Sequence, residues 1–262
     1  MTSTGRSTSK PPSPERRAER IGGVAWDGEG ARAVRAEPAE RGREGRRQEA
    51  RAGLALVLAS GLYLALYAAR VFTKGRLTYG FLLWNLSLAW APWVLAQASC
   101  AAAARRWTPA AWTLGLAWLV FLPNAPYVVT DFVHLRPRPG APLWYDCALL
   151  GTAALIGLAA GGLSLRAVHG WVSERYGTVA GLVLLGASAL TTGLGIYLGR
   201  FERWNSWDLV TRPDAVLSSV LALALDPQPR PLVVTFVFAS LTAVSYFIVG
   251  GRVLARSAEL RS

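Results

Sequence analysis

One short stretch of the chain concentrates the residue types that bind ligands or move protons. Residues 121–135 read FLPNAPYVVTDFVHL, and they place Asn124, Asp131 and His134 at the end of a long apolar segment that two prolines interrupt. Polar and ionisable side chains at such a depth are costly in hydrocarbon, so they usually face a protein interior or a water-filled cavity. The stretch therefore predicts a site, but it does not define a reaction.

The two prolines predict a break in a membrane-length helix, because proline lacks an N–H and clashes with the preceding turn. Asn124 is suited to cap a new short helix that runs from about Ala125 to Leu135. On an α-helix Tyr127, Thr130, Asp131 and His134 would share one face. We expect this face either to bind a ligand or to be a kinked helix end whose polar groups satisfy one another.

A second dense motif, GRFERWNSWDL, covers residues 199–209. In a binding site Arg200 and Arg203 would hold an anionic group, and Asp131 or His134 would move a proton. The structural interpretation, which we favour for this motif, is that Asp131 or Asp146 pairs with one of the two arginines and pins the loops together.

All the candidate site residues fall on one predicted side of the membrane, because the loops after the first, third and fifth spans share a face. They are Asn85, Asn124, Tyr127, Asp131, His134, Asp146, Arg200, Arg203, Asn205 and Asp208. No HExxH, GxSxG or phosphate-binding glycine motif accompanies them. The sequence therefore predicts no metal site and no cofactor, and it assigns no catalytic residue.

The composition indicates a membrane protein. Of the 262 residues 52% are hydrophobic, and the net charge is +12. Residues 1–50 hold eleven basic and eight acidic residues, so most of the excess charge is scattered through short loops. A nucleic-acid-binding protein would concentrate its charge on one face or tail, so we expect no nucleic-acid partner and a lipid bilayer instead.

Six apolar segments are long enough to cross about 30 Å of hydrocarbon. They lie near Gly53–Phe72, Tyr79–Ala103, Ala110–Thr130, Trp144–Leu165, Tyr176–Leu198 and Leu232–Gly250. Ala215–Leu225 is too short to span and predicts an interfacial or re-entrant helix, with a seventh span as the alternative. The fold class is therefore an all-α, polytopic bundle of about six transmembrane helices plus one short helix.

The ends of the chain differ from the bundle. Residues 1–50 have no apolar periodicity and predict a disordered, charged cytoplasmic tail; residues 51–253 form the membrane domain and 254–262 a short C-terminal tail. Arg and Lys in the loops and flanks number thirteen on the N-terminal side and nine on the other. This bias favours a multi-pass protein of the cytoplasmic membrane with its N-terminus inside.

Four separated motifs resemble one family. They are FLPNAPYVVTDFVHL, WNLSLAWAPW (Trp84 to Trp93), WYD (Trp144 to Asp146) and RFERWNSWDL, and they resemble the bacterial integral-membrane family catalogued as domain of unknown function 1361 (DUF1361) over about residues 55–250. The resemblance implies a polytopic helical membrane protein. It brings no assigned activity and no catalytic residues.

Two functions follow as hypotheses. In the first, a polar pocket on one membrane face binds a small anionic molecule or a lipid headgroup, in a transporter or a membrane-embedded enzyme. In the second, the protein is a non-catalytic scaffold or assembly partner whose polar cluster is structural. The sequence does not name the ligand or the oligomeric state.

Overall fold

The structure is a computed structural model that describes residues 28–74, 77–137 and 142–259. These residues form helices, and no strand occurs among them. The elements in chain order are α1 Gly28–Lys74, α2 Phe81–Ala104, α3 Thr108–Phe121, α4 Asn124–Tyr127, a 3-10 helix Val128–His134, α5 Leu143–Tyr176, α6 Thr178–Tyr197, a π-helical turn Leu198–Glu202, α7 Asp208–Thr211, α8 Pro213–Leu225 and α9 Pro229–Glu259.

Six helical stretches in the described part of the chain are long and apolar enough to cross a membrane. They are Glu49–Thr73, Phe81–Ala104, Thr108–His134, Leu143–Tyr176, Thr178–Glu202 and Pro229–Val249. The predicted all-α bundle of six spans is confirmed, and α8, at 13 residues, is too short to be a seventh. The fourth helix differs from the prediction, because it continues from Leu165 to Tyr176 without a breaking residue.

The N-terminal helix begins inside the segment for which we predicted disorder. Its bounds are Gly28 and Lys74, so it includes residues 28–50, whereas residues 1–27 lie outside the described residues. The division into a tail, a membrane domain and a C-terminal segment stays a prediction. Residues 52 onward form one unit of the fold, and the packing described below lies within it.

Two buried clusters hold the bundle together. The first joins α1, α2 and α5 through side chains such as Tyr63, Leu82 and Leu149. The second joins α2, α3 and α5 through residues such as Trp118 and Leu165. Helix α9 packs on α5 and α6, and the short α4 lies against both α2 and α5. The broken end of the third span is therefore enclosed by the bundle.

Small residues make this enclosure possible. A methyl group at Gly157 would clash with the carbonyl oxygen of Ala125, and one at Gly195 would lie 2.6 Å from Cγ of Pro123. Gly161 faces the Ala125 side chain in the same way, at 3.1 Å. Small residues allow helix backbones to approach closely in membranes. Glycines of α5 and α6 thus allow the segment that carries the first polar motif to pack closely against these two helices.

Candidate functional site

The third span breaks at Pro123, as predicted, but the local geometry differs from the prediction. Asn124 does not cap α4 with its side chain. Its Nδ2 instead donates to the carbonyl oxygen of Phe121 at 3.0 Å and to Oγ of Ser206 at 2.9 Å. Asn124 therefore joins the first motif to the second, and it uses both of its amide hydrogens to do so.

The segment after Tyr127 is a 3-10 helix rather than an α-helix. With three residues per turn, Val128, Asp131 and His134 align along it. Asp131 is buried, whereas His134 is exposed. The predicted single face of Tyr127, Thr130, Asp131 and His134 is therefore wrong in its periodicity, because it assumed 3.6 residues per turn.

Arg200 nevertheless contacts Tyr127, Asp131 and His134. Its guanidinium lies 6.0 Å from the ring centroid of Tyr127, and its Nη2 donates to Nε2 of His134 at 3.4 Å. Its Nη1 is 3.9 Å from Oδ1 of Asp131, which is an ion-pair distance but too long for a hydrogen bond. The predicted pairing of Asp131 with Arg200 is thus present in a loose form.

Asp131 is held more closely by Asn85. Nδ2 of Asn85 donates to Oδ2 of Asp131 at 2.8 Å. Oδ1 of Asp131 is buried and accepts no hydrogen bond from the described residues, and the buried hydroxyls of Tyr63 and Tyr67 are also without a partner there. Buried polar groups are usually satisfied, so this corner between α1, α2 and the 3-10 helix is a costly arrangement.

Asp146 has a partner that sequence reasoning missed. Arg70 donates from Nε to Oδ1 at 2.6 Å and from Nη2 to Oδ2 at 2.9 Å, and both side chains are buried. The hydroxyl of Tyr79 donates to Oδ2 at 3.2 Å. The predicted partners Arg200 and Arg203 are therefore wrong for Asp146. Basic residues at the ends of spans are common, so Arg70 carried no distinguishing signal.

The second motif contains its own charge network. Asp208 accepts from the backbone N–H of Asn205 at 2.7 Å and from Nη2 of Arg212 at 3.0 Å. The Asn205 N–H and the Arg212 guanidinium hold the pKa of the Asp208 carboxyl below its usual value. Arg203 is exposed and has a left-handed backbone conformation with φ of 62°.

A cavity of about 360 Å³ lies between α2, α3, α6, α8 and the loop that follows the π-helical turn. Asn85, Asn124, Tyr127 and Asn205 line it, so four of the ten candidate residues surround one space. The other six, Asp131, His134, Asp146, Arg200, Arg203 and Asp208, do not line it. None of the lining residues, all of which belong to the described segments, is charged.

Sequence reasoning missed most of the cavity wall. Trp84, Trp204 and Trp207 supply aromatic surface, and apolar residues such as Leu119 and Leu194 supply the rest. Tryptophans near span ends are usual at membrane boundaries, so nothing in the sequence marked these as cavity residues. The cavity arises because the two motifs fold against each other beside the break at Pro123.

The fold and the site define a multi-pass helical membrane protein in which two polar motifs border a cavity without charged lining residues. The model of the family described as "Protein of unknown function (DUF1361)" matches residues 84–244, which is more than half of the chain. The chain belongs to this family. No curated protein and no solved structure matches the chain.

Proposed function

We propose that the protein binds a small amphipathic molecule, such as a lipid with its headgroup, in the cavity beside Pro123. The observation that carries this proposal is the cavity itself, since about 360 Å³ falls within the range of small-molecule sites. Its wall combines apolar side chains such as Leu119 and Leu194 with the amides of Asn85, Asn124 and Asn205. A mostly apolar pocket with a few convergent polar groups is typical of ligand sites.

Of the two ligands that the sequence suggested, the small anionic molecule is less well supported than the lipid headgroup. Arg200 and Arg203 were expected to hold the anion, and neither lines the cavity. Arg200 contacts Asp131 and His134, so its charge is directed towards other protein groups. Nor does the cavity assign a reaction, so catalysis is not part of this proposal.

The second candidate function is a scaffold or assembly partner without a ligand. The observation in its favour is the pairing of the charged groups. Arg70 and Asp146 satisfy each other, and Arg212 and Asp208 do the same. Charges arranged in this way can fix loops without contacting any ligand. We assign this structural role to the charges and the binding role to the cavity.

For the location we propose the cytoplasmic membrane with the N-terminus inside. The support is the excess of Arg and Lys on the N-terminal side of the spans, thirteen against nine. The bilayer is then the main environment, and nucleic acid is not a partner.

The test is to fill the cavity with a larger side chain and to identify which molecule then no longer co-purifies with the protein. Leu194 lines the cavity, so Leu194→Trp should occupy it. Leu190 lies one turn earlier on α6, is 47% exposed and does not line the cavity, so Leu190→Trp is the matched control. The full-length proteins are purified from membranes, and co-purified molecules are identified by mass spectrometry.

Wild type and Leu190→Trp should retain the same molecule, and Leu194→Trp should lose it while melting at a similar temperature. If Leu194→Trp retains everything that wild type retains, the cavity is not a ligand site and the scaffold is favoured.

A further inference from the structure

Helix α8 contributes one of its faces to the cavity wall. Val216 and Val220 line the cavity, and Val216 is 4% exposed. Ser219 lies on the same side of the helix, because residues at i, i+3 and i+4 share a face. One side of the cavity is thus closed by a helix that is too short to span the membrane.

The opposite face of α8 is apolar and exposed. Leu217, Leu221 and Leu225 are 57%, 51% and 85% exposed. From Ala215 to Leu225 the helix carries no charged residue, and two serines are its polar residues. A helix that is apolar on all sides belongs in a protein core or in a membrane. The neighbouring spans place α8 beside a bilayer, whose acyl chains suit this outer face.

Few contacts hold α8 against the spans. Among the helices that the structure describes, α8 packs mainly on the short α7. One side-chain hydrogen bond joins α8 to the rest of the described chain, and it runs from Nε1 of Trp204 to Oγ of Ser219 at 3.2 Å. Trp204 is itself held, because its backbone N–H donates to the carbonyl oxygen of Leu198 at 3.1 Å. The Trp204–Ser219 hydrogen bond therefore fixes α8 to the loop that borders the cavity.

The two ends of α8 are suited to act as hinges. The helix begins at Pro213, directly after Arg212, whose φ of −144° and ψ of 56° are not helical. It ends before Asp226, where φ is −130° and ψ is 78°. Pro227 and Pro229 follow, and proline donates no backbone hydrogen bond. Hinges consist of a few residues at the ends of elements that absorb changes in φ and ψ.

We propose that α8 is a lid between the cavity and the bilayer, and that an amphipathic molecule enters the cavity from the lipid when this lid opens. The inner face of α8 closes the cavity, its outer face lies among acyl chains, and Trp204 holds the closed position through Ser219. Lids are drawn from the weakly held parts of a fold. The inference rests on the proposed ligand site and adds the route by which a ligand reaches it. It applies to any headgroup, because it depends on the apolar part of the ligand.

The first experiment locates the outer face of α8. Leu221→Cys and Gln228→Cys are each made in the full-length chain with Cys100→Ala and Cys147→Ala, and each new thiol is labelled with a nitroxide. EPR in liposomes then compares relaxation by oxygen, which dissolves in lipid, with relaxation by a nickel chelate, which stays in water. Oxygen should dominate at Leu221, and nickel should dominate at the exposed Gln228 directly before α9. Nickel relaxation at Leu221 that equals the value at Gln228 would overturn the inference, because it would place the outer face in water.

The second experiment measures how often the lid opens. Val216→Cys in the same background places a thiol on the buried inner face, where N-ethylmaleimide should react when α8 opens. Ser219→Ala removes the acceptor of the Trp204 indole and should raise the labelling rate about fivefold, since one hydrogen bond shifts an equilibrium by roughly that factor. Ser218→Ala is the matched control, because the exposed Ser218 hydroxyl donates within α8, to the Ala215 carbonyl at 2.8 Å. It should leave the rate unchanged.

Two further variants separate opening of the lid from loosening of the helix itself. Trp204→Phe keeps an aromatic ring but removes the donor, so it should raise the labelling of Val216→Cys as Ser219→Ala does. Leu217→Cys lies on the exposed face, and Ser219→Ala should not change its labelling rate. Equal rates at Val216→Cys in the Ser219→Ala and Ser218→Ala proteins would overturn the lid. A rise of the same size at Leu217→Cys would do so as well.

The third experiment connects the lid to the ligand. Wild type, Ser219→Ala and Ser218→Ala are purified with the molecule that Leu194→Trp loses and are moved into nanodiscs of deuterated phosphatidylglycerol. Native mass spectrometry follows the loss of that molecule, which should leave Ser219→Ala about fivefold faster than the other two. Equal rates of loss would overturn the lid and leave the ligand site in place. If Leu194→Trp retains everything that wild type retains, the ligand site fails and this route fails with it, even where Ser219→Ala speeds the labelling of Val216→Cys.

Discussion

The two ion pairs Arg70–Asp146 and Arg212–Asp208 differ from the cavity in how fully their polar groups are hydrogen-bonded. Arg70 gives Asp146 two hydrogen bonds, and Arg212 gives one to Asp208. The cavity, in contrast, is lined by Asn85, Asn124 and Asn205, whose side-chain carbonyl oxygens accept no hydrogen bond from the described residues. The ionised side chains of these pairs are thus hydrogen-bonded to one another, whereas the carbonyl oxygens of the three neutral asparagines have no donor among the described residues.

This difference bears on how ionisable residues in membrane segments are interpreted. They are functional candidates by default, because their burial is expensive. Here pairing accounts for Arg70, Asp146 and Asp208 without a ligand, whereas Asp131 keeps one buried oxygen without a hydrogen bond from the described residues. Asp131 and Asp208 accept hydrogen bonds from the side-chain amides of Asn85 and Asn205 and so orient two residues of the cavity wall. These two carboxylates therefore orient residues of a cavity that they do not line.

The largest effect is expected from separating the buried ion pair. Arg70→Met should lower the free energy of unfolding by about 3–5 kcal/mol, because it leaves the buried Asp146 charge unpaired. Arg70→Met with Asp146→Leu should recover most of that loss. Arg212→Met is the comparison, and its loss should be smaller, because Arg212 is 63% exposed and the buried Asp208 keeps its two hydrogen bonds from Asn205 without it. Thermal melting of the purified proteins measures all three.

If Arg70→Met and Arg212→Met melt alike, the Arg70–Asp146 pair is not the anchor that its burial and two hydrogen bonds indicate.

A smaller effect is expected where the glycines seat the broken helix. Gly157→Ala should destabilise the protein by about 1–3 kcal/mol, because the added methyl clashes with the Ala125 carbonyl. It should also weaken ligand retention, because Asn124 moves with that segment. Gly170→Ala in the same helix meets no atom within 4 Å and should be neutral or stabilising.

Melting temperature and ligand retention should therefore fall together only for Gly157→Ala. If Gly157→Ala still retains the ligand, the packing of α4 on Gly157 is not required for ligand binding in the cavity.

The smallest effect concerns Asp208 and pH. Its lowered pKa means that ionised Asp208 stabilises the fold above the ordinary aspartate pKa of about 3.9, and that this contribution is lost as the pH falls through the lowered value. Asp208→Asn should thus be less stable than wild type at neutral pH, and the two should converge in acid. Melting curves between pH 2 and 7 test this.

The bundle was predictable because long apolar segments dominate the sequence. The six spans need only composition and length, and even the short Pro213–Leu225 helix is bracketed by prolines. The limits of the fourth helix were not predictable, since Arg166 and His169 read as loop residues although they continue a helix. Without a strong stop signal, polarity alone does not end a helix.

The site was only partly predictable, for reasons of geometry. The two motifs do meet, and Asn124 and Ser206 join them. The 3-10 periodicity after Tyr127 and the partnership of Arg70 with Asp146 depend on tertiary packing that no local pattern encodes. The sequence also did not show that the neutral candidate residues line the cavity and the charged ones do not. That result depends on tertiary packing.

The seating of the broken helix on glycines has a consequence for biosynthesis. Ala125 and Pro123 rest on Gly157 and Gly195, which belong to helices that the ribosome makes later. Until those helices emerge, Asn124 has no Ser206 beside it and Asp131 has no Arg200. We expect the broken end of the third span to stay at the membrane–water interface during synthesis. It should reach its final position only after α5 and α6 have been made. Because α8 also contributes to the wall, the cavity is completed late in assembly, after most of the bundle exists.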